Sequence, residues 1–122
     1  MSRVETNGPV AEVLVDSDIL IDHLRGARRY EPGPDVVRYS VVTRAELFAG
    51  HGTDEERVDK LLAAFQELPV DRAIAEGAGR LRRDHGLRLP DALIAATALE
   101  FGLALLTRNR RDFESIDHLT LA

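Results

Sequence analysis

The sequence has no cysteine and no tryptophan, and its only aromatic residues are two Tyr and four Phe. The lack of cysteine excludes disulfides and thiolate metal sites, and it fits a cytosolic protein. With so few aromatic rings, Leu, Val, Ile and Ala must fill the core. No apolar run approaches the ~20 residues that a membrane span needs, so no membrane association is expected. Residues 1–9 are polar, without the apolar stretch of a signal peptide, and read as a flexible tail ahead of a single domain over 10–122. There is no internal repeat, Gly-rich phosphate loop or Ser-His-Asp arrangement. His23, His51, His85 and His118 show no metal-ligand spacing and read as surface or loop residues.

What the sequence does contain is charge, at 30% of residues, with a formal net charge of −5. An acidic total argues at first against a nucleic-acid partner, but distribution matters more than the sum. Among the basic residues Lys60 is the only lysine, and the rest are Arg, whose planar fork suits phosphate. Clusters occur at Arg25-Arg28-Arg29, Arg80-Arg82-Arg83 and Arg108-Arg110-Arg111.

Periodicity and turn signals predict alternating strands and helices. Strands are expected at 12–15, Tyr39–Val42, 68–70 and 103–107, with a last short one at 118–121. Helices are expected at 17–25, 43–49, 54–66, 71–85 and 90–101, with a loop over 26–38. Gly86 and Gly102 stop the last two long helices, and Pro90 suits a first helical turn. Gly77 and Gly79 inside a helix are unusual and would allow close packing or a bend. The alternation implies a three-layer α/β/α domain around a central parallel sheet.

The acidic residues fall where those strands end. Asp16 closes Val13-Leu14-Val15, Glu46 follows Val41-Val42-Thr43, and Asp91 opens an apolar helix. Thr107, Asn109 and Asp112 follow Leu103-Ala104-Leu105-Leu106. Ligands of open parallel sheets bind beyond the carboxyl ends of the strands, so these side chains can meet there. Clustered carboxylates call for a cation, which points to Mg²⁺ or Mn²⁺ and phosphoryl chemistry. Each residue also has a structural reading. Asp16 can cap a helix, and Asp91 suits a helix dipole. Thr43-Arg44-Ala45-Glu46 matches a capping box, with Thr43 as N-cap. Asp18 and Asp22 read as surface acids, with Asp18 favouring the helix dipole.

Taken together, LVDSDILIDHLRG (14–26), SVVTRAELFAG (40–50) and LPDALIAATALEFGLALLTRNRRDF (89–113) resemble the PIN-domain nucleases. The likeness is greatest to the VapC-type toxins of bacterial toxin–antitoxin pairs. The resemblance implies a PIN-like α/β/α fold and a cytoplasmic, metal-dependent endoribonuclease. Asp16 and Asp91 match the family's core metal ligands, and Glu46 matches the acid that completes the first site or orients a water. The fourth acid of the family is replaced here by Asn109, which keeps a carbonyl ligand but loses a charge. Asp112 is near enough in sequence to compensate. Thr107 is expected to orient this loop or a bound water. Arg108, Arg110 and Arg111 are expected to hold flanking phosphates of an RNA substrate. The resemblance also implies a cognate VapB-like antitoxin and a homodimer formed through helices near 54–85.

The alternative is a catalytically inactive member that only engages an antitoxin or RNA, a reading favoured by Asn109. Two other phosphate-handling α/β classes fit poorly. A receiver domain needs a Lys after a late strand, and Lys60 lies in a helix. A haloacid-dehalogenase-type phosphatase needs DxDxT, and Leu20 stands where its Thr belongs.

Overall fold

The computed structural model describes residues 11–122, so the expected tail at 1–9 lies outside the described residues. Four strands form one parallel sheet: β1 (Glu12–Val15), β2 (Val36–Ser40), β3 (Gln66–Leu68) and β4 (Ala104–Leu106), in the order β3-β2-β1-β4. The helices are α1 (Ser17–Leu24), α2 (Val41–Phe48), α3 (Glu55–Leu62), α4 (Arg72–His85), α5 (Leu89–Phe101) and the short α6 (Arg110–Phe113).

Side chains along a strand alternate between the two faces of the sheet, and both faces are covered here. Val13 and Val15 of β1 pack with Ile19, Leu20, Leu47, Val58 and Leu62 beneath α1, α2 and α3. Leu14, between them, joins Ile74, Ala78, Ile94, Ala95 and Phe113 beneath α4, α5 and α6. The sheet is thus the middle of three layers, as the alternation of elements predicts. Helix α5 is apolar nearly all round because it is buried, from Ala92 through Ala98 except for the half-buried Leu93. At Gly77 a Cβ would lie 3.7 Å from the Cβ of Ala96, so small residues line the α4–α5 approach, whereas Gly79 faces open space.

Several boundaries differ from the sequence reading, each for a local reason. The second strand ends at Ser40, not Val42, and begins at Val36 inside the expected loop. The β-branched pair Val41-Val42 reads as strand, but the Ser40 hydroxyl accepts the Val42 N–H (3.1 Å) and starts α2 there. Thr43 is therefore inside the helix, and the expected capping box at Thr43–Glu46 does not form. The third strand lies at Gln66–Leu68 rather than 68–70, because Pro69 has no N–H for a ladder. Helix α3 stops at Leu62, short of 66. The expected last strand is reduced to one parallel bridge, Leu121 to Leu105, which covers the outer edge of β4.

The chain runs from β1 outward through β2 to β3 and then crosses to β4 on the other side of β1. The switch point between β1 and β4 is where ligands of open α/β sheets bind. Asp16 and Thr107 are the first residues beyond the carboxyl ends of these two strands. The Asp16 N–H donates to the Leu106 carbonyl (2.8 Å), fixing the two strand ends together.

Candidate active site

Asp16 sits at the centre of this edge and is only 5% exposed. It combines both roles open to it. Its Oδ1 accepts the Ser17 N–H (2.7 Å) as the N-cap of α1, and its Oδ2 accepts the Thr107 hydroxyl (2.8 Å). Burial, with the neighbouring Asp18 and Asp91 charges adding to it, pushes the Asp16 carboxyl up to about 7 from its ordinary 3.8. The hydrogen bonds from Thr107 and Ser17 oppose that rise.

Thr107 is buried and acts as a hub. Its Oγ1 also accepts the Asn109 N–H (3.0 Å) and lies 3.4 Å from Asp18 Oδ2. Asp18 Oδ2 accepts the Arg108 N–H (3.1 Å), while its Oδ1 is buried without a partner among the described residues. Burial raises the Asp18 pKa, although the Arg108 and Ile19 N–H groups oppose it. Asp22 pairs with the Arg108 guanidinium at 2.6 Å, with both side chains largely covered. Asp18 and Asp22 are thus not surface acids: they tie α1 to the β4 loop. Sequence reasoning missed Asp18 as a site residue. The Asp-Ser-Asp spacing was the available signal, because the first two positions of a helix can both face the edge its N-cap occupies.

Glu46 reaches the same edge from α2. The Ser17 hydroxyl donates to Glu46 Oε1 (2.6 Å) and lies 2.9 Å from Thr43 Oγ1. Ser17 and Thr43 are buried, so Glu46 is positioned by this side-chain chain rather than spent on a helix cap. Asp91, in the first turn of α5 and 9% exposed, meets only the Arg88 guanidinium among the described side chains, at 3.4 Å.

The remaining expected site residues lie at the rim. Asn109 donates through Nδ2 to Asp112 Oδ2 (2.6 Å), so these two exposed side chains pair with each other. Asp112, Asp91 and Arg111 line one cavity of about 320 Å³. Arg110 donates to the Ala122 carbonyl (2.6 Å), and Arg108 is held by Asp22, which leaves Arg111 as the member of the trio that faces the cavity. On the other flank, a groove of about 240 Å³ between α1, α2 and α3 includes Glu46, Ile21, Leu24, Leu47 and Arg57 in its lining.

Among the described residues, no three acid or imidazole side chains converge closely enough to cage an ion. The donor chemistry nevertheless fits a hard divalent cation. All candidate ligands are oxygens, the partnerless Asp18 Oδ1 lies near Asp16 in the chain, and burial together with like charge already disfavours ionised Asp16. Mg²⁺ is usually held by one or two carboxylates, waters and substrate phosphate rather than an all-protein cage. Asp16 and Asp91 are the carboxylates that would meet that requirement.

The PIN domain family model matches residues 13–119, and the chain belongs to the PIN-domain family. It is 44% identical over 121 residues to Ribonuclease VapC10 of Mycobacterium tuberculosis, covering 88% of this chain and 90% of that protein. A solved toxin–antitoxin complex from Klebsiella pneumoniae contains a chain 36% identical, with a TM-score of 0.76 over 88% of this chain and 95% of that one. VapBC2 from Rickettsia felis, bound to a promoter DNA fragment, is 19% identical, with a TM-score of 0.79 over 92% of this chain and 98% of that one, a likeness of fold.

Proposed function

We propose that this chain is the toxin of a toxin–antitoxin pair, a cytoplasmic endoribonuclease that uses Mg²⁺ or Mn²⁺ to hydrolyse RNA. The observation that carries the reading is Asp16, buried at the sheet's switch point, its carboxyl raised by burial and by the neighbouring Asp18 and Asp91 charges. The ribonuclease name of a relative 44% identical supports RNA as the substrate. Asp16 and Asp91 would hold the ion, which would supply Lewis-acid polarisation of the phosphate and raise the acidity of water. Glu46, fixed by Ser17, orients the attacking water and draws its proton. Thr107 holds Asp16 in its working rotamer. Arg111 fixes substrate phosphate at the rim. In-line attack by water on phosphorus breaks the bond to the 3′ oxygen, which leaves as a 3′-hydroxyl, and the other fragment keeps a 5′-phosphate.

A VapB-like antitoxin is the expected partner, and the groove between α1, α2 and α3 offers its segment an apolar floor beside Glu46. Helices near 54–85 are the expected homodimer surface. Light scattering that shows a monomer at high concentration would remove the dimer from this account.

The test is cleavage of total bacterial RNA by antitoxin-free protein in Mg²⁺, Mn²⁺ or chelator. Discrete metal-dependent fragments, absent with Asp16→Ala and Asp91→Asn, are expected. A folded protein that cuts nothing in either metal would favour the binding-only reading that Asn109 supports.

A further inference from the structure

The cavity beside Asp91 is lined by His85, Arg88, Asp91, Arg111, Asp112 and Ser115. Its charges are unequally committed. Asp112 is occupied by the Asn109 amide. Arg88 touches Asp91 through one long contact of 3.4 Å, and 75% of its side chain is exposed. A single contact at that distance, made by a solvated side chain, is a weak pair. Asp91 is also a carboxylate that a divalent cation would take. With a cation on Asp91, Arg88 would lose its partner, and Arg88 and Arg111 would both be free to face a substrate from the cavity wall. Guanidinium forks bind phosphate oxygens in pairs.

We propose that this cavity is the subsite for the RNA phosphate next to the scissile one, held by Arg88 and Arg111, with Arg88 passing from Asp91 to that phosphate when the cation binds. The inference rests on the ribonuclease reading and adds to it a residue the TRN segment does not contain. It also sets an order: before the cation arrives, Arg88 shields Asp91 and the subsite is incomplete. RNA affinity is therefore coupled to the cation through Arg88.

The experiment measures binding of a 5′-fluorescein single-stranded RNA by anisotropy. Ca²⁺ is used because it has the same charge and also takes oxygen ligands. Mg²⁺ binding to the protein alone is followed by calorimetry. Wild type is compared with Arg88→Ala, Arg88→Lys, Arg111→Ala and, as a charge-matched control outside the cavity, Arg110→Ala. Arg88→Ala and Arg111→Ala should each weaken RNA binding about tenfold. Each should also lower the slope of log K against log salt by about 0.7, the value for one lost phosphate contact on a single strand. Arg88→Lys should keep the slope and recover part of the affinity. Mg²⁺ affinity should stay level or rise in Arg88→Ala, since a competitor for Asp91 is gone. RNA affinity and salt slope unchanged in both alanine variants would overturn the subsite, as would Mg²⁺ affinity falling in parallel with RNA affinity. Cleavage by wild type in Mg²⁺ is scored separately. Active enzyme with an indifferent Arg88 sinks the subsite alone. No cleavage, with the Arg88 signature present in binding, sinks the nuclease reading alone.

Discussion

On the β1–β4 side of the site, Asp16, Asp18, Thr107 and Arg108 form a largely buried network with contacts of 2.8 Å and 3.1 Å between elements distant in sequence. On the α5–α6 side, Asp91 meets one loosely placed Arg, and Asn109 and Asp112 satisfy each other at the surface. The first side is built like a core and fixes geometry. The second is built like a surface and can exchange partners. A hydrolytic site for a polymer needs both: a rigid carboxylate that keeps the ion in register, and a rim whose groups can move from each other to the substrate.

The largest expected effect breaks the fixed side. Asp16→Asn should abolish cleavage while making the metal-free protein more stable at pH 8. The sign follows from the raised carboxyl. A group that folds with a pKa near 7 rather than 3.8 costs nothing below pH 3.8, where both states are protonated. As pH climbs from about 4 to 7 the unfolded chain ionises first and stability falls, by up to roughly 4 kcal/mol in total for a shift of this size. Thermal melts of metal-free wild type and Asp16→Asn should coincide near pH 4 and diverge by pH 8. A wild type that gains stability relative to the variant over that range would contradict the assignment.

Next in size is Thr107→Val, which removes the hydroxyl from Asp16 Oδ2 and leaves a buried acceptor unpaired. It should destabilise by about 1–3 kcal/mol in urea melts. Ser17→Ala should leave the fold within about 1.5 kcal/mol but free the Glu46 carboxylate, lowering kcat about a hundredfold with KM little changed. Ser17→Thr, which restores a hydroxyl, should recover part of that loss. Smallest is the loose rim: Asp112→Asn keeps a partner for Asn109 and should change kcat by less than about tenfold, because an exposed pair contributes little. A loss as deep as that of Asp16→Asn would move Asp112 to the fixed side and erase the contrast between the two.

How much of this was legible in sequence also divides between the two sides. Val13-Leu14-Val15 followed by Asp16 could be read as a strand end, because a fully buried parallel strand is apolar on both faces. The apolar helix opening at Asp91 was equally plain, with Pro90 in its first turn and Gly102 at its end. The start of α2 was not, since Val41-Val42 has strand character and only the Ser40 cap, made in three dimensions, decides for helix. That one boundary also decided between the two readings of Glu46, which forms no capping box and takes a hydroxyl from Ser17, 29 residues away. Asp18 was hidden for the same reason: its partners lie in the β4 loop, about 90 residues along the chain. The three Arg of that loop looked equivalent in sequence, but Asp22 and the Ala122 carbonyl engage two of them, and only the fold could say which.

The proposed divalent-cation site joins Asp16 of the fixed side to Asp91 of the exchangeable side. Its most direct measurement is a Mn²⁺ titration followed by electron paramagnetic resonance on wild type, Asp16→Asn and Asp112→Asn, at pH 6 and pH 8. Wild type is expected to bind Mn²⁺ more tightly at pH 8, where Asp16 is ionised, with binding lost in Asp16→Asn and kept in Asp112→Asn. Equal Mn²⁺ binding by wild type and Asp16→Asn, both folded, would contradict the account.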